Sequence, residues 1–242
     1  MRIGILGGGA AGFFAAIHCK LFNDKAEVVI LEKSQKLLSK VKISGGGRCN
    51  VTNVESDPMK LAKHYPRGER QLAKAFREFN TTDTIRFFED RGVPLVVQED
   101  GCVFPESQNS QSIIDCFLHE CKRLQIKIQT GTAIDRIVHK ENLTWSVHSK
   151  SEAFNFDRLV VCVGGLPKIE QMQWLQNLGQ PMVVPYPSLF TFNMPDESIR
   201  ELMGIVAPHA ITRIPGSKHQ GEGPLLITHW GMSGPAILML SA

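Results

Sequence analysis

A glycine turn and one acid carry the first legible chemistry. Gly7-Gly8-Gly9-Ala10-Ala11-Gly12 follows a short apolar run at 3–6 and precedes residues 13–21, where Ala15 and Ala16 continue a helical pattern. A second β-branched run, 26–31, ends at Glu32, twenty residues after Gly12. Strand, turn, helix, strand and acid thus fall in the register of a βαβ dinucleotide-binding unit. In such a unit Gly7 permits the tight turn, Gly9 lets a pyrophosphate approach the backbone, and Gly12 allows the helix to pack on the strand. The free N–H groups at the helix start, with Ala10 and Ala11 among them, and the helix dipole attract phosphate. Glu32 is placed to accept hydrogen bonds from a ribose 2′-hydroxyl, and its charge would repel a 2′-phosphate. Gly7 and Gly12 also have the spacing of a nucleotide-triphosphate loop. Phe13 and Phe14 stand where its Lys and Ser or Thr would be required, so that reading is rejected.

A second glycine loop follows twelve residues beyond Glu32: Ser44-Gly45-Gly46-Gly47-Arg48-Cys49-Asn50-Val51-Thr52-Asn53. Residues 40–53 are expected to form no regular element. Three successive glycines free the backbone to aim N–H groups at an anion, while Arg48 adds charge and Asn50 adds hydrogen-bonding capacity. This suits an extended dinucleotide running away from the first turn, although a plain surface loop has the same composition. Cys49 is either a redox thiol or a small packing residue, with packing preferred.

With these two loops in hand, the chain resembles the YhiN/BaiN-like flavoproteins, a family of NAD(P)/FAD-dependent oxidoreductases with the glutathione-reductase type of FAD fold. The matching segments are GGGAAG at 7–12, LEKSQKLLSKVKISGGGRCNVTN at 31–53, EDGCVFPES at 99–107 and THWGMSGPAILMLSA at 228–242. The resemblance implies FAD as cofactor, held by Gly7, Gly9, Ala10, Ala11, Gly12, Glu32, Lys33, Gly46, Gly47, Arg48, Cys49 and Asn50. It further implies a backbone contact near Ile134, on the strand after Gly131-Thr132, and an approach of the chain to the cofactor at Gly164. Three departures stand out. Cys102 replaces the family's usual Arg, the stretch after Gly164-Gly165 is short, and the sequence stops at Ala242 within a motif, before the family's returning C-terminal segment.

The elements that must position these loops read as an α/β fold: a Rossmann-like FAD/NAD(P)-binding domain over 1–179, with a small lobe at about 60–110, joined to a mostly β inserted domain that begins at 180 and is incomplete at 242. Helices are expected at 82–91, opened by Thr82 and Asp83, and at 112–124; a hairpin at 95–98 and 102–104; strands at 126–129, 133–138 and 143–147; and one buried strand over 156–163. Lys63, Arg67, Arg70, Lys74 and Arg77 recur at helical spacing, interrupted by Pro66, and read as a solvated face. Over 181–215, six prolines accompany short β-like runs at 182–184, 189–192 and 210–214. His229 and Gly231-Met232-Ser233-Gly234-Pro235 invite a serine-hydrolase reading. Pro235 occupies the second glycine of a nucleophile elbow, so Ser233 is read instead as a helix cap.

Composition bounds the rest. The 242 residues are 43% hydrophobic and 21% charged with a net charge of +3, a globular profile that gives no reason to invoke a nucleic-acid or membrane partner. Six cysteines without a Cys-x-x-Cys pair or a histidine cluster at zinc spacing indicate neither a metal site nor a disulfide framework. Glycines at 4, 7, 8, 9 and 12 disqualify the N-terminus as a signal peptide, and no apolar run reaches the ~18 residues of a membrane span. A cytoplasmic protein is expected. The leading functional reading is an FAD-dependent oxidoreductase passing electrons between a small-molecule donor and NAD(P) or O₂, with NAD(P)H at most a transient co-substrate and no protein nucleophile required. The alternatives are a truncated, catalytically silent nucleotide-binding protein and an NAD-dependent dehydrogenase.

Overall fold

The computed structural model describes residues 1–65, 68–141, 143–166, 168–187 and 189–241. Two compact units emerge, Met1–Val183 and Val184–Ala242.

In the first unit β1 (Arg2–Leu6), α1 (Ala10–Phe22) and β2 (Glu27–Leu31) form the expected βαβ unit. Next come the short helix α2 (Ser39–Ile43), a 3₁₀ turn at Ser44–Gly47 and β3 (Thr52–Asn53). The lead-in to the second glycine loop is therefore helical, against the expectation of no regular element over 40–53; Leu38 and Val41 bury one side of that turn. A lobe of α3 (Pro58–Lys63), α4 (Glu69–Glu78) and α5 (Thr81–Glu89) follows, then the hairpin β4 (Leu95–Val97) and β5 (Cys102–Pro105). The N-cap of α5 is Asn80, not Thr82: its side chain accepts from Thr82 N, and Asp83 accepts from Asn80 N in a capping box. The basic residues do not share one helix. Lys63 ends α3 while Arg70, Lys74 and Arg77 lie on α4, and Pro66 and Arg67 fall outside the described residues.

The unit closes with α6 (Gln111–Arg123), β6 (Lys127–Gln129), the meander β7 (Ile134–His139), β8 (Trp145–Ser149) and β9 (Ala153–Phe156), then β10 (Arg158–Val161) and α7 (Gln173–Gln176). What reads as one buried strand over 156–163 is two. Phe156 pairs with Trp145 in the meander, Asp157 binds Arg2 through N–H and carboxylate, and Arg158 opens β10 beside Ile3. β10 is the edge of its sheet, which leaves Val161 exposed.

The parallel sheet runs β10-β1-β2-β6 and separates two apolar layers. Alternation sends Ile3, Ile5, Val28 and Ile30 to one face, against Phe13 and Ile17 of α1 and Ile113 and Phe117 of α6. Leu6, Val29 and Leu31 face the meander's Ile137, Val147, Phe154 and Phe156. Cys116 and Cys121 lie buried in the first layer, where burial pushes their thiols up to about 11 and about 12, as packing residues rather than a redox pair. Among the described residues no helix is long and apolar enough to cross a membrane.

In the second unit β11 (Phe192–Asn193), β12 (Val206–Arg213), β13 (Gln220–Thr228) and β14 (Gly231–Ser233) form an antiparallel sheet in the order β11-β14-β13-β12, covered by α8 (Pro235–Ser241). Residues 182–184 form no strand, 189–192 contributes only its last residue to β11, and 210–213 belongs to the longer β12, which stops before Ile214. Ser233 is not the helix cap. It ends β14 opposite Leu226, and Gly234 at φ +97° turns the chain into Pro235.

One buried acid ties the first unit's helices together. Glu120 of α6 accepts from Arg123 Nε at 2.7 Å and Arg91 Nε at 3.0 Å. The Arg123 hydrogen bond outweighs burial and holds this carboxyl below the usual glutamate range. Glu120→Gln should cost about 2 kcal/mol at neutral pH. Because the folded value is depressed, the stabilisation is complete above the usual value of about 4.3 and disappears as pH falls through the lower folded value. Urea denaturation at neutral pH should separate variant from wild type, and at about pH 3 the gap should narrow; an unchanged gap would contradict this account.

Candidate functional site

The strand order reverses between β1 and β10: β2 and β6 lie to one side of β1, and β10 returns on the other. In open parallel sheets such a reversal marks the crevice that binds ligands, here at the carboxyl ends of β1 and β10. The first glycine turn follows β1 and Glu32 follows the parallel β2, so both lie at that end of the sheet.

The first glycine turn is sterically enforced. Gly7, at φ +113°, donates to Leu31 O at 2.8 Å, and a Cβ there would overlap the carbonyl oxygen of Cys162. A Cβ on Gly12 would overlap the carbonyl oxygen of Gly7. Gly9 differs: no atom lies within 4 Å of where its Cβ would stand, so its missing side chain leaves open space beside the helix start. The first α-helical bond runs from Phe13 N to Gly9 O, so the N–H groups of Gly9, Ala10, Ala11 and Gly12 have no partner within α1. Ala10 and Ala11 are exposed, and no side chain caps this end. Open space plus unpaired donors is the arrangement a pyrophosphate requires.

Glu32 stands at the end of β2, half-buried, accepting from Gly8 N at 2.7 Å and Ser34 N at 2.8 Å. Burial pulls its pKa up, but the N–H groups of Ser34 and Gly8 outweigh it, leaving the carboxyl below its ordinary value. The ionised carboxylate retains lone pairs for two further donors. Sequence patterning did not reveal the parts of Gly8 and Ser34, because backbone donors leave no signature in side-chain type. Beside Glu32, Thr132 N donates to Glu32 O at 2.9 Å and Gly131 N to Ser34 O at 3.1 Å. This brings the start of β7, with Ile134, to the same end of the sheet, while the side chain of Lys33 is exposed.

In the second loop Gly45 and Gly46 adopt left-handed angles (φ +54° and +68°), Gly47 has φ +88°, and Cys49 follows at φ +65°. Gly46 and Gly47 again face open space, whereas a Cβ on Gly45 would press on Asn50 N at 2.8 Å. Arg48 is largely occupied within the protein: Nε donates to Gly45 O at 3.3 Å, Nη1 to Gln108 at 3.3 Å, and the guanidinium lies 4.3 Å from the Phe104 ring centroid. Its placement shapes the loop as much as it charges it. Cys49 is buried in the core with its thiol pushed up by that burial, which is the packing alternative. Asn50 is exposed, and so is Gly164, at φ +80° past the end of β10. His229, in the second unit, has its ring against Trp230 at 4.5 Å.

Two family models match. One, the HI0933-like protein Rossmann domain, covers residues 1–180; the other, the HI0933-like protein barrel and H2TH domain, covers 186–242. The chain is 29% identical over 248 residues to the ribosomal RNA dihydrouridine synthase of Haemophilus influenzae, covering 98% of this chain and 60% of that protein. It is 25% identical over 248 residues to the 3-dehydro-bile acid Δ(4,6)-reductase of Clostridium scindens, covering 99% and 59% respectively. It thus spans about 60% of the length of these curated relatives. Among solved structures, the open conformation of a flavocytochrome c3 fumarate reductase shares the fold with TM-score 0.59 at 16% identity, over 85% of this chain and 46% of that one.

The two key glycines should separate cleanly on substitution. Gly12→Ala drives a methyl into the Gly7 carbonyl and should destabilise the first unit by about 3 kcal/mol. Gly9 has φ −93° and ψ −175°, open to alanine. Gly9→Ala should leave stability within about 1 kcal/mol while weakening dinucleotide binding at least tenfold. Thermal melts and titration with FAD read the two effects; equal binding by Gly9→Ala and wild type would remove the turn from the site.

Proposed function

This chain belongs to the HI0933-like family, and from that premise and the crevice geometry we propose that it forms the cofactor-binding part of an oxidoreductase that reduces a carbon–carbon double bond conjugated to a carbonyl. The family is one of FAD-dependent oxidoreductases, so the dinucleotide is FAD. The observation that carries the reading is the run of unpaired N–H groups at Gly9–Gly12 beside open space, flanked by the ionised Glu32 and the open Gly46 and Gly47.

Glu32 holds the adenosine ribose hydroxyls, and the start of α1 holds the pyrophosphate. The 44–50 loop and the Gly164 turn border the remainder of the cofactor, and Ile134 and Lys33 border its adenosine end. FAD, when bound, supplies two-electron transfer chemistry. The choice of substrate class draws on the relatives' names. Dihydrouridine differs from uridine by saturation of a ring double bond conjugated to a carbonyl, and a 3-dehydro-bile acid Δ(4,6)-reductase acts on double bonds conjugated to the 3-keto group. One chemistry covers both. NAD(P)H is the proposed electron source, visiting without a second dinucleotide fingerprint in this sequence, and the second unit is read as the beginning of an inserted β-rich domain.

Purified protein should carry FAD in stoichiometric amount, seen as a visible spectrum and identified after heat release, and Glu32→Ala should weaken FAD binding at least tenfold. After anaerobic reduction, a 3-keto-4-ene steroid or a uridine-containing RNA should restore the oxidised spectrum, whereas an isolated alkene should not. Reoxidation by O₂ alone would replace this reading with an oxidase.

A further inference from the structure

Resting on the proposed reading, which counts a uridine-containing RNA among the substrates, we propose that the α3–α4 lobe is the docking surface for that RNA, its cations pairing with the phosphate backbone. The placement of charge carries the inference. Between Pro58 and Phe79 stand six cations, Lys60, Lys63, Arg67, Arg70, Lys74 and Arg77, against two acids, a surplus of four in a chain whose whole net charge is +3. The rest of the chain is therefore slightly acidic. Folding gathers part of this surplus on one line. Ala73 is buried and Leu72 and Phe76 are half-buried, which fixes the rotation of α4. Arg70, Lys74 and Arg77 then share one exposed stripe, at steps of about 6 Å and about 4.5 Å along the helix axis. Arg70, Gln71 and Lys74 line a shallow depression of about 260 Å³ on this face.

The protein itself leaves these charges unbalanced. Among the described residues, Lys60, Lys63, Arg70, Lys74 and Arg77 form no ion pair. Asp57, the acid ahead of Lys60, is committed as the N-cap of α3 to the N–H groups of Met59 and Lys60, at 2.8 and 3.0 Å. Cations on one stripe repel one another, and a polyanion relieves that repulsion while releasing its own counterions. RNA fits this surface better than a membrane does. The exposed positions of α4 hold no large apolar side chain that could enter a bilayer. Tyr65, two residues after Lys63, is 45% exposed with its ring 5.6 Å from that of Phe76, and offers an aromatic face on which an unpaired base can stack. The lobe is also borne by the chain that leaves the second glycine loop. Pro58 opens α3 eight residues after Asn50, and Thr81 Oγ1, at the start of α5, donates to Glu55 O at 2.9 Å and closes the lobe back on that segment.

Fluorescence anisotropy of a short uridine-containing hairpin RNA, titrated with the full chain over a range of salt, tests the assignment. The combined variant Arg70→Gln, Lys74→Gln and Arg77→Gln should raise the Kd at least tenfold at ~0.1 M salt and flatten the slope of log K against log salt by about 2. Lys25→Gln, Lys122→Gln and Lys150→Gln together remove the same charge from exposed positions elsewhere in the first unit, and should change the Kd less than about threefold. Arg70→Lys with Arg77→Lys keeps the charge and should bind as wild type does. FAD content and thermal melting should be the same throughout; if the triple lobe variant melts early, Lys74→Gln alone, expected to flatten the slope by about 1, decides. Failure of wild type to bind the RNA, or equal weakening by the two glutamine triples, would overturn the docking surface and leave the FAD reading standing. So would co-sedimentation of wild type, but not of the lobe variant, with phosphatidylserine vesicles when the RNA is not bound. RNA binding that follows the lobe charges in a protein that takes up no FAD would sink the FAD reading instead.

Discussion

Everything at the crevice depends on a single close approach, that of the α1 backbone to the end of β1. The carbonyl of Gly7 occupies the space a Cβ on Gly12 would need, and Gly7 itself turns at φ +113° against the carbonyl of Cys162. Three backbone segments meet with no side chain between them. This contact brings the unpaired N–H groups of the helix start over the sheet edge instead of a side chain's width above it. The same contact sets the depth at which Phe13 and Ile17 enter the layer between α1, α6 and the sheet. Packing and binding geometry are one constraint here, expressed at Gly7 and Gly12 as sterics and at Gly9 as open space.

From this point the structure spreads outward through backbone hydrogen bonds. Gly8 gives its N–H to Glu32 and its carbonyl to Leu38 N–H, so one glycine links the acid at the end of β2 with the helical turn that opens the second loop. That loop is then fixed from its far side: Gly47 O accepts from Ser110 N at 2.8 Å, Lys42 O accepts from Ser110 Oγ at 2.9 Å, and Arg48 bridges to Gln108. Gly45 to Gly47, which a free chain would sample widely, are held in left-handed angles before any ligand arrives. A loop ordered in advance loses less entropy on binding.

The sequence disclosed the parts whose chemistry is local. The βαβ unit was legible because glycine spacing, alternation and a terminal acid are all properties of adjacent residues, and the second loop because three glycines in a row admit few backbone readings. What stayed hidden depended on partners distant in the chain. The division of 156–163 into β9 and β10 turns on Asp157 binding Arg2, more than 150 residues away. The helix at Ser39–Ile43 forms because Leu38 finds Gly8 and Val41 finds the core, which no count of Lys and Ser at 39–42 foretells. Near the end of the chain Ser233 has the right chemistry for a cap, yet the ladder to Leu226 claims it and leaves the turn to Gly234. Arg48 reads as a phosphate ligand from its charge, whereas its partners Gln108 and Phe104 lie more than fifty residues on.

The crevice also has a direction. At its β2 end the groups are a depressed-pKa carboxylate and the backbone of 130–134, suited to sugar hydroxyls. At its centre are unpaired N–H donors. Past the β10 end lie the exposed backbone of Gly164 and Gly165 and the 39% exposed Val163, with Lys40 Nζ 3.7 Å from where a Cβ on Gly164 would stand. On the proposed reading, the ribose end of the dinucleotide lies at Glu32 and the diphosphate at the start of α1. Reversing it would set the ring on Glu32 and leave a half-buried carboxylate short of donors, the costlier arrangement.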